Sequence, residues 1–313
     1  RLGQRLHRPG DRFLTARQVA DQYAVSYQTA HRLLADLEAC GLIERRARSG
    51  TFIRGSTVKP THARLVLHPR ATNPQGFGGK LRETLLRALA KGKTPFREHL
   101  EPSQPIPHDA LPILWESPDA LRDCVAQNRP AILINERPPP GWNSALLDSV
   151  GADDFAGGAL AADTLRRAAL ADDPFAVLAG PVGDRRSDER IAGFRSRIDS
   201  PTIVHADNWH RDAGRRAAEQ LLARSIAGVF AANDRLAQGL VMTYRKHAKP
   251  TPKIVGYDDA PIAKKLSLTT IALPWQSIAE AVIERTQARL KGDTSPARTV
   301  LLQPSIVFHD GCN

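Results

Sequence analysis

Apolar positions recur along this 313-residue chain with two different rhythms. From Thr15 to about Arg54 they follow a helical period and then alternate, whereas beyond Pro60 short β-branched runs sit between amphipathic stretches. In the first part, Thr15-Ala16-Arg17-Gln18 has the form of a capping box, in which Thr and Gln side chains satisfy two orphan backbone donors. A helix is predicted from Thr15 with Val19, Ala20 and Tyr23 on its apolar face. Ala24-Val25 makes a short turn and Ser26 is a good N-cap for a second helix. There Ala30, Leu33, Leu34 and Leu37 fall at core spacing, giving a helix-turn-helix pattern.

Gly41 suits a left-handed C-cap, and residues 42–45 and 51–54 can pair as a hairpin around Arg46-Ala47-Arg48-Ser49-Gly50. Gly55-Ser56-Thr57-Val58-Lys59-Pro60 then reads as a linker that a helix does not cross. Two domains are predicted, residues 1–58 and 59–313. In the second, β-branched runs at 64–67, 131–134, 175–178, 202–204, 228–231 and 253–256 alternate with helical stretches, which implies an α/β fold with parallel sheets. Leu81, Leu85, Leu86 and Leu89, and likewise Ala217, Leu221 and Leu222, are core stripes. Residues 92–112 are proline-rich and predicted to form irregular surface structure.

Composition leaves this picture unchanged and charge sharpens it. With 42% hydrophobic and 25% charged residues the chain reads as an ordinary soluble protein. Its formal charge is +11, and residues 1–59 hold eleven Lys/Arg against five Asp/Glu. A polyanion is the expected partner of that end. Cys40, Cys124 and Cys312 are widely spaced and odd in number, so neither a disulfide framework nor a zinc site is expected. With no apolar run of membrane-spanning length and no secretory signal at Arg1-Leu2-Gly3-Gln4-Arg5, the expected location is the cytoplasm. No Gly-x-Ser-x-Gly, His-Glu-x-x-His, Walker A or Gly-x-Gly-x-x-Gly appears, so neither an enzyme nor a cofactor is expected.

The second helix exposes Tyr27, Gln28, Thr29, His31 and Arg32 near its N-terminal end, the end that enters a major groove. Arg46 and Arg48 at the hairpin tip suit phosphate or minor-groove contact. Pro9-Gly10-Asp11-Arg12, Ala16-Arg17-Gln18-Val19-Ala20, Val25-Ser26-x-x-Thr29, Gly41-Leu42-Ile43-Glu44-Arg45-Arg46 and Gly50-Thr51-Phe52 together resemble the GntR-family winged helix-turn-helix. That resemblance covers nearly all of residues 2–54 and implies a homodimer on palindromic double-stranded operator DNA. Arg17, Ser26, Tyr27, Gln28, Thr29 and His31 match its recognition face, and Arg48, Ser49, Gly50 and Thr51 its wing. Tyr27 and His31 stand where many members carry arginine, so the bidentate guanine contact of Arg is missing there. Few residues precede Pro9-Gly10, so the family's usual first helix is expected to be cut short.

In the second domain, Arg190 follows the strand that ends at Gly180 and places a forked donor at its carboxyl edge, where open α/β sheets bind ligands. Trp209 follows the 202–204 strand and offers a stacking face. Asn233 and Asp258 end two further strands, positions where such residues also serve as helix caps. Together with Asp154-Phe155-Ala156-Gly157-Gly158 and Val255-Gly256-Tyr257-Asp258-Asp259, these resemble the lactose-repressor (LacI/GalR) sensor, a two-lobed periplasmic-binding-protein-like domain. The resemblance runs from about Asp154 through Asp258 and implies effector contacts at Arg190, Trp209, Asn233 and Asp258, and Asp154 is expected to bind the effector with them. It also implies a small polar effector, a sugar or sugar derivative, because hydroxyls need donors and acceptors in fixed places. The hinge helix of lactose-type repressors is absent. The expected function is an effector-controlled transcription repressor that does not engage a membrane; the alternative is a transporter's solute-binding protein without DNA binding.

Overall fold

The structure is a computed structural model and describes residues 10–39, 43–47, 49–53, 59–74, 76–100, 105–127, 129–138, 146–168, 174–293 and 295–309. It opens with helices α1 (Ala16–Tyr23) and α2 (Tyr27–Ala39) and the antiparallel pair β1 (Ile43–Arg46) and β2 (Gly50–Ile53). Both halves of the capping box form, with Gln18 N donating to Thr15 Oγ1 and Thr15 N to Gln18 Oε1. The turn between the helices is made by Ala24, held in the left-handed region at φ 52° while its N–H caps Ala20 O. Phe13, Val19, Ala30, Leu34 and Ile43 form a small core among these elements. Leu33 departs from its expected place on that face and is 43% exposed. Gly41, the expected C-cap, and most of the linker lie outside the described residues.

The chain divides into two compact units, residues 1–74, 78–151 and 276–300 in one, and 75–77, 152–275 and 301–313 in the other. Each is assembled from segments far apart in sequence, so no single break in the hydrophobic pattern marks them. The first contains a six-stranded sheet in the order β13-β7-β6-β5-β3-β4, built from β3 (His62–Leu67), β4 (Phe96–His99), β5 (Ala110–Trp115), β6 (Ala131–Ile134), β7 (Leu147–Ala152) and β13 (Thr299–Leu302), with α3 (Phe77–Lys91), α4 (Pro118–Ala126) and α10 (Trp275–Leu290). The irregular surface expected over 92–112 is instead partly strand: β4 and the first residues of β5 lie there, and β5 is buried throughout. Pro112 is accommodated because it precedes Ile113 and Leu114, where β5 pairs with β6.

The second unit has the sheet order β14-β12-β11-β10-β8-β9. Its strands are β8 (Phe175–Ala179), β9 (Thr202–His205), β10 (Gly228–Ala231), β11 (Lys253–Asp258), β12 (Thr269–Ala272) and β14 (Ser305–Phe308). All neighbours run parallel except β12 and β14. Helices α5 (Asp154–Arg167), α6 (Arg185–Arg195), α7 (Arg211–Ala218), α8 (Asp234–Lys246) and α9 (Pro261–Lys265) connect them. Phe194, Phe230 and Tyr257 fill one core cluster; Leu221, Leu236 and Leu240 belong to another.

Candidate functional site

The strands β8, β10 and β11 end side by side, and their carboxyl edge with the neighbouring β9 loop gathers the five residues singled out in the second domain. α6 starts on the N-cap Asp184 and carries Arg190 one turn further in. There Arg190 Nε donates to Asp154 Oδ1 at 2.7 Å and Nη1 donates to Ala232 O. The guanidinium carbon lies 3.6 Å from the centre of the Tyr257 ring, and Tyr257 OH donates to the same Asp154 oxygen at 3.0 Å. Arg190 and Asp154 are 3% and 4% exposed. Burial works against the Arg190 charge, but Asp154 and its neighbours outweigh it and raise the guanidinium above its ordinary range. Burial, reinforced by Asp154, pushes the Tyr257 hydroxyl well up and keeps it a proton donor. Asp154 is therefore spent on holding Arg190 and Tyr257.

Asp258 ends β11 with φ 101° and is followed by Asp259 at φ 50°, two consecutive non-glycine residues in the left-handed region. Such strain persists where the surroundings over-determine it, and it clusters at binding sites. The Asp258 carboxyl is pushed up to about 6, by burial above all and by Asp154, against the opposing pull of Arg190. Asp234, fully buried, fastens the loop after β11 by accepting from Thr270 Oγ1 and Ala260 N, both at 2.7 Å. Burial and the Asp258 charge push its carboxyl well up.

Asn233 is the N-cap of α8 through Leu236 N at 2.7 Å, and its Nδ2 donates to Trp209 O at 3.1 Å. The capping role is realised and the second bond pins the Trp209 loop. Trp209 Nε1 donates to Asp184 Oδ2 at 2.9 Å, and the Arg186 and Arg190 guanidinium carbons lie 5.4 and 5.5 Å from its ring centre. Asp184 also accepts from Arg186 Nη2 at 2.9 Å. Burial pushes its carboxyl up, but Arg186 and Trp209 outweigh this and hold it down at about 2. Asp184 and Tyr257 are not among the residues predicted for the site. A Gly183-Asp184 start before a helix signals a cap, yet nothing in the sequence tells that the carboxylate reaches an indole 25 residues away.

The arrangement offers an aromatic surface, a buried charged pair and a strained carboxyl, a set suited to binding. No group of three His, Cys, Asp or Glu fit to hold a metal occurs among the described residues. A separate pocket of about 370 Å³, lined by His210, Arg211, Arg235, Gln238, Ile262, Lys265 and neighbours, contains none of the five predicted residues.

At the N-terminal end, Arg17, Gln28, His31 and Arg32 are exposed and Tyr27 is 60% exposed. Ser26 caps α2 by accepting from Thr29 N at 3.1 Å, and its hydroxyl bonds that of Thr29 at 2.8 Å. Arg46 pairs with Glu44 and stacks over Phe52. Ser49 is exposed and Gly50 adopts φ 117°. Thr51 is buried, its side chain away from the exposed tip expected for it. Arg48 lies outside the described residues.

Residues 117–270 match the family described as periplasmic binding protein domain. The ribose operon repressor of Haemophilus influenzae is 25% identical over 147 residues, 43% of this chain and 44% of the repressor, so the match spans less than half the length of that relative. A LacI family transcriptional regulator from Enterococcus faecium with bound ribose has a TM-score of 0.63 at 23% identity, covering 80% of this chain and 99% of that one. A complex of the transcriptional regulator CelR with cellobiose has a TM-score of 0.67 at 17% identity, covering 96% and 100%. The chain thus has a two-lobed periplasmic-binding-protein-like α/β fold with parallel sheets, a fold that it shares with solved regulators of the LacI family. No helix among the described residues is long and apolar enough to cross a membrane.

Proposed function

We propose that this chain is a cytoplasmic, homodimeric transcription repressor in which residues 1–58 form a GntR-type winged helix-turn-helix and residues 59–313 sense a sugar. The observation that carries the sensor reading is the convergence of Asp154, Arg190, Trp209, Asn233 and Asp258, from five separate segments, on one carboxyl edge. An aromatic face beside fixed donors and acceptors fits a polyhydroxylated ring. Ribose and cellobiose in related structures support the ligand class.

The reader reading is supported by the realised caps of α1 and α2, the exposed row Tyr27, Gln28, His31 and Arg32, and the basic charge of this end. These features, together with a regulator whose fold overlaps 96% of the chain, favour a repressor over a transporter's solute-binding protein. Ligand binding shifts the arrangement of the sensor and through it the spacing of two reader heads on a palindrome.

The test is a thermal-shift panel of ribose, cellobiose and nucleosides on the full chain, because a ligand that binds the native state raises the melting temperature. A sugar-specific rise is expected. A rise with nucleosides and none with sugars would overturn the ligand class.

A further inference from the structure

We propose that Asp184 is a positioning and specificity residue acting through Trp209. By taking the indole N–H it fixes the ring and withdraws its one donor, so a ligand meets Trp209 with a C–H face and not with a hydrogen-bond acceptor. This rests on the reading of Trp209 as an effector contact.

Trp209 stands in a loop between β9 and α7 with no ladder of its own to hold it. Three ties replace one: the 2.9 Å bond from Nε1 to Asp184, the 3.1 Å bond from Asn233 to its carbonyl, and the close backing of Gly180. Asp184 is itself immobilised, since Arg186 grips both carboxylate oxygens, at 3.2 Å through Nε and 2.9 Å through Nη2, while Arg186 N donates to Oδ1 as the first bond of α6. A hydrogen bond to an ionised acceptor is stronger than one to a neutral acceptor. Indole has a single N–H and no acceptor, so once that donor is engaged the ring offers its π surface alone. A ligand hydroxyl oxygen or phosphate placed there would go unpaired and be rejected.

Two variants separate this role from helix capping. Asp184→Asn keeps the cap through its single carbonyl oxygen but turns an amide donor toward the indole N–H, because the cap uses Oδ1 and the indole Oδ2. Asp184→Ser keeps the cap but is too short to reach the indole. Full-length protein labelled with ¹⁵N-tryptophan, its Trp209 indole signal assigned by Trp209→Phe, is compared with each. In both variants, which keep the cap and lose the indole's acceptor, the Trp209 indole proton is expected to exchange about tenfold faster or more and to shift upfield. Unchanged exchange in Asp184→Ser overturns the positioning role, whatever the ligand proves to be.

D-ribose titration is the second arm. Asp184→Ser is expected to weaken ribose binding about tenfold in the parent and to have no further effect in Trp209→Phe. An equal loss in both backgrounds overturns action through Trp209. A parent that ignores ribose while its indole responds as expected contradicts ribose as the effector and supports the locked indole.

Discussion

Trp209 packs so closely on Gly180 that a methyl group there would meet ring carbons Cη2 and Cζ2 at 2.4 Å. Gly180→Ala is therefore expected to push the ring out of place and cut ligand affinity about tenfold or more, and Trp209→Ala to abolish binding. DNA affinity without ligand should be nearly intact in both. Calorimetry with the ligand found by thermal shift checks this, and normal ligand affinity in Trp209→Ala would contradict the site.

Asp258 gives a pH dependence with a definite sign. Its folded carboxyl is pushed up to about 6 by burial, above the usual unfolded value of about 3.9. The native state therefore binds the extra proton, and stability is greatest below pH 4 as far as this group is concerned. It is lost as the pH rises through about 6, by up to about 3 kcal/mol. Asp258→Asn should flatten urea-unfolding free energies over that window and gain stability at pH 7. An unaltered pH profile in the variant would contradict the raised carboxyl at this strained position.

At Gly158 and Gly193 the α5–α6 contact brings backbone against backbone. A Cβ on Gly193 would stand 1.9 Å from Phe155 O, and one on Gly158 2.0 Å from Arg190 O. Gly193→Ala is expected to destabilise the protein by about 2 kcal/mol or more in urea unfolding, because the obstacle is backbone and cannot rotate away. The same variant should loosen the Arg190–Asp154 pair and weaken ligand binding.

Arg46→Ala combined with Arg48→Ala is expected to weaken binding on all DNA sequences and lower the salt dependence. For every phosphate that the variant no longer neutralises, the slope of log K against log salt should become shallower by about 0.9. Arg46 must give up its Glu44 partner to bind, so Glu44→Ala should strengthen binding modestly. Anisotropy titrations between low and moderate salt read both effects; an unchanged slope in the double variant would place the hairpin away from the phosphates.

Much of the fold is legible in the sequence because strand ends and caps are local signals. The runs at 131–134 and 228–231 coincide with β6 and β10, and the Thr15 box and Ser26 cap form as their spacing implies. β7 escapes such reading for a physical reason. Leu147-Asp148-Ser149-Val150-Gly151-Ala152 looks too polar for a buried strand, yet Asp148 is fully buried because Arg285 and Arg289 of α10 meet it at 3.2 and 2.7 Å. A partner 137 or 141 residues away leaves no local trace. β5 is obscured by its own proline, and Asp184 by the 25 residues that separate it from Trp209. In the candidate site, residue types at strand ends are readable; which side chains orient the others is not.

Coupling of a sugar to a DNA sequence within one chain is the property on which the proposed function stands. It is tested most directly by selecting a DNA fragment from a random pool with the full chain and measuring its affinity with and without saturating ligand. A palindrome is expected to be selected whose Kd changes by about five- to 150-fold when ligand is added; the same Kd with and without saturating ligand would show that the sugar does not control DNA binding.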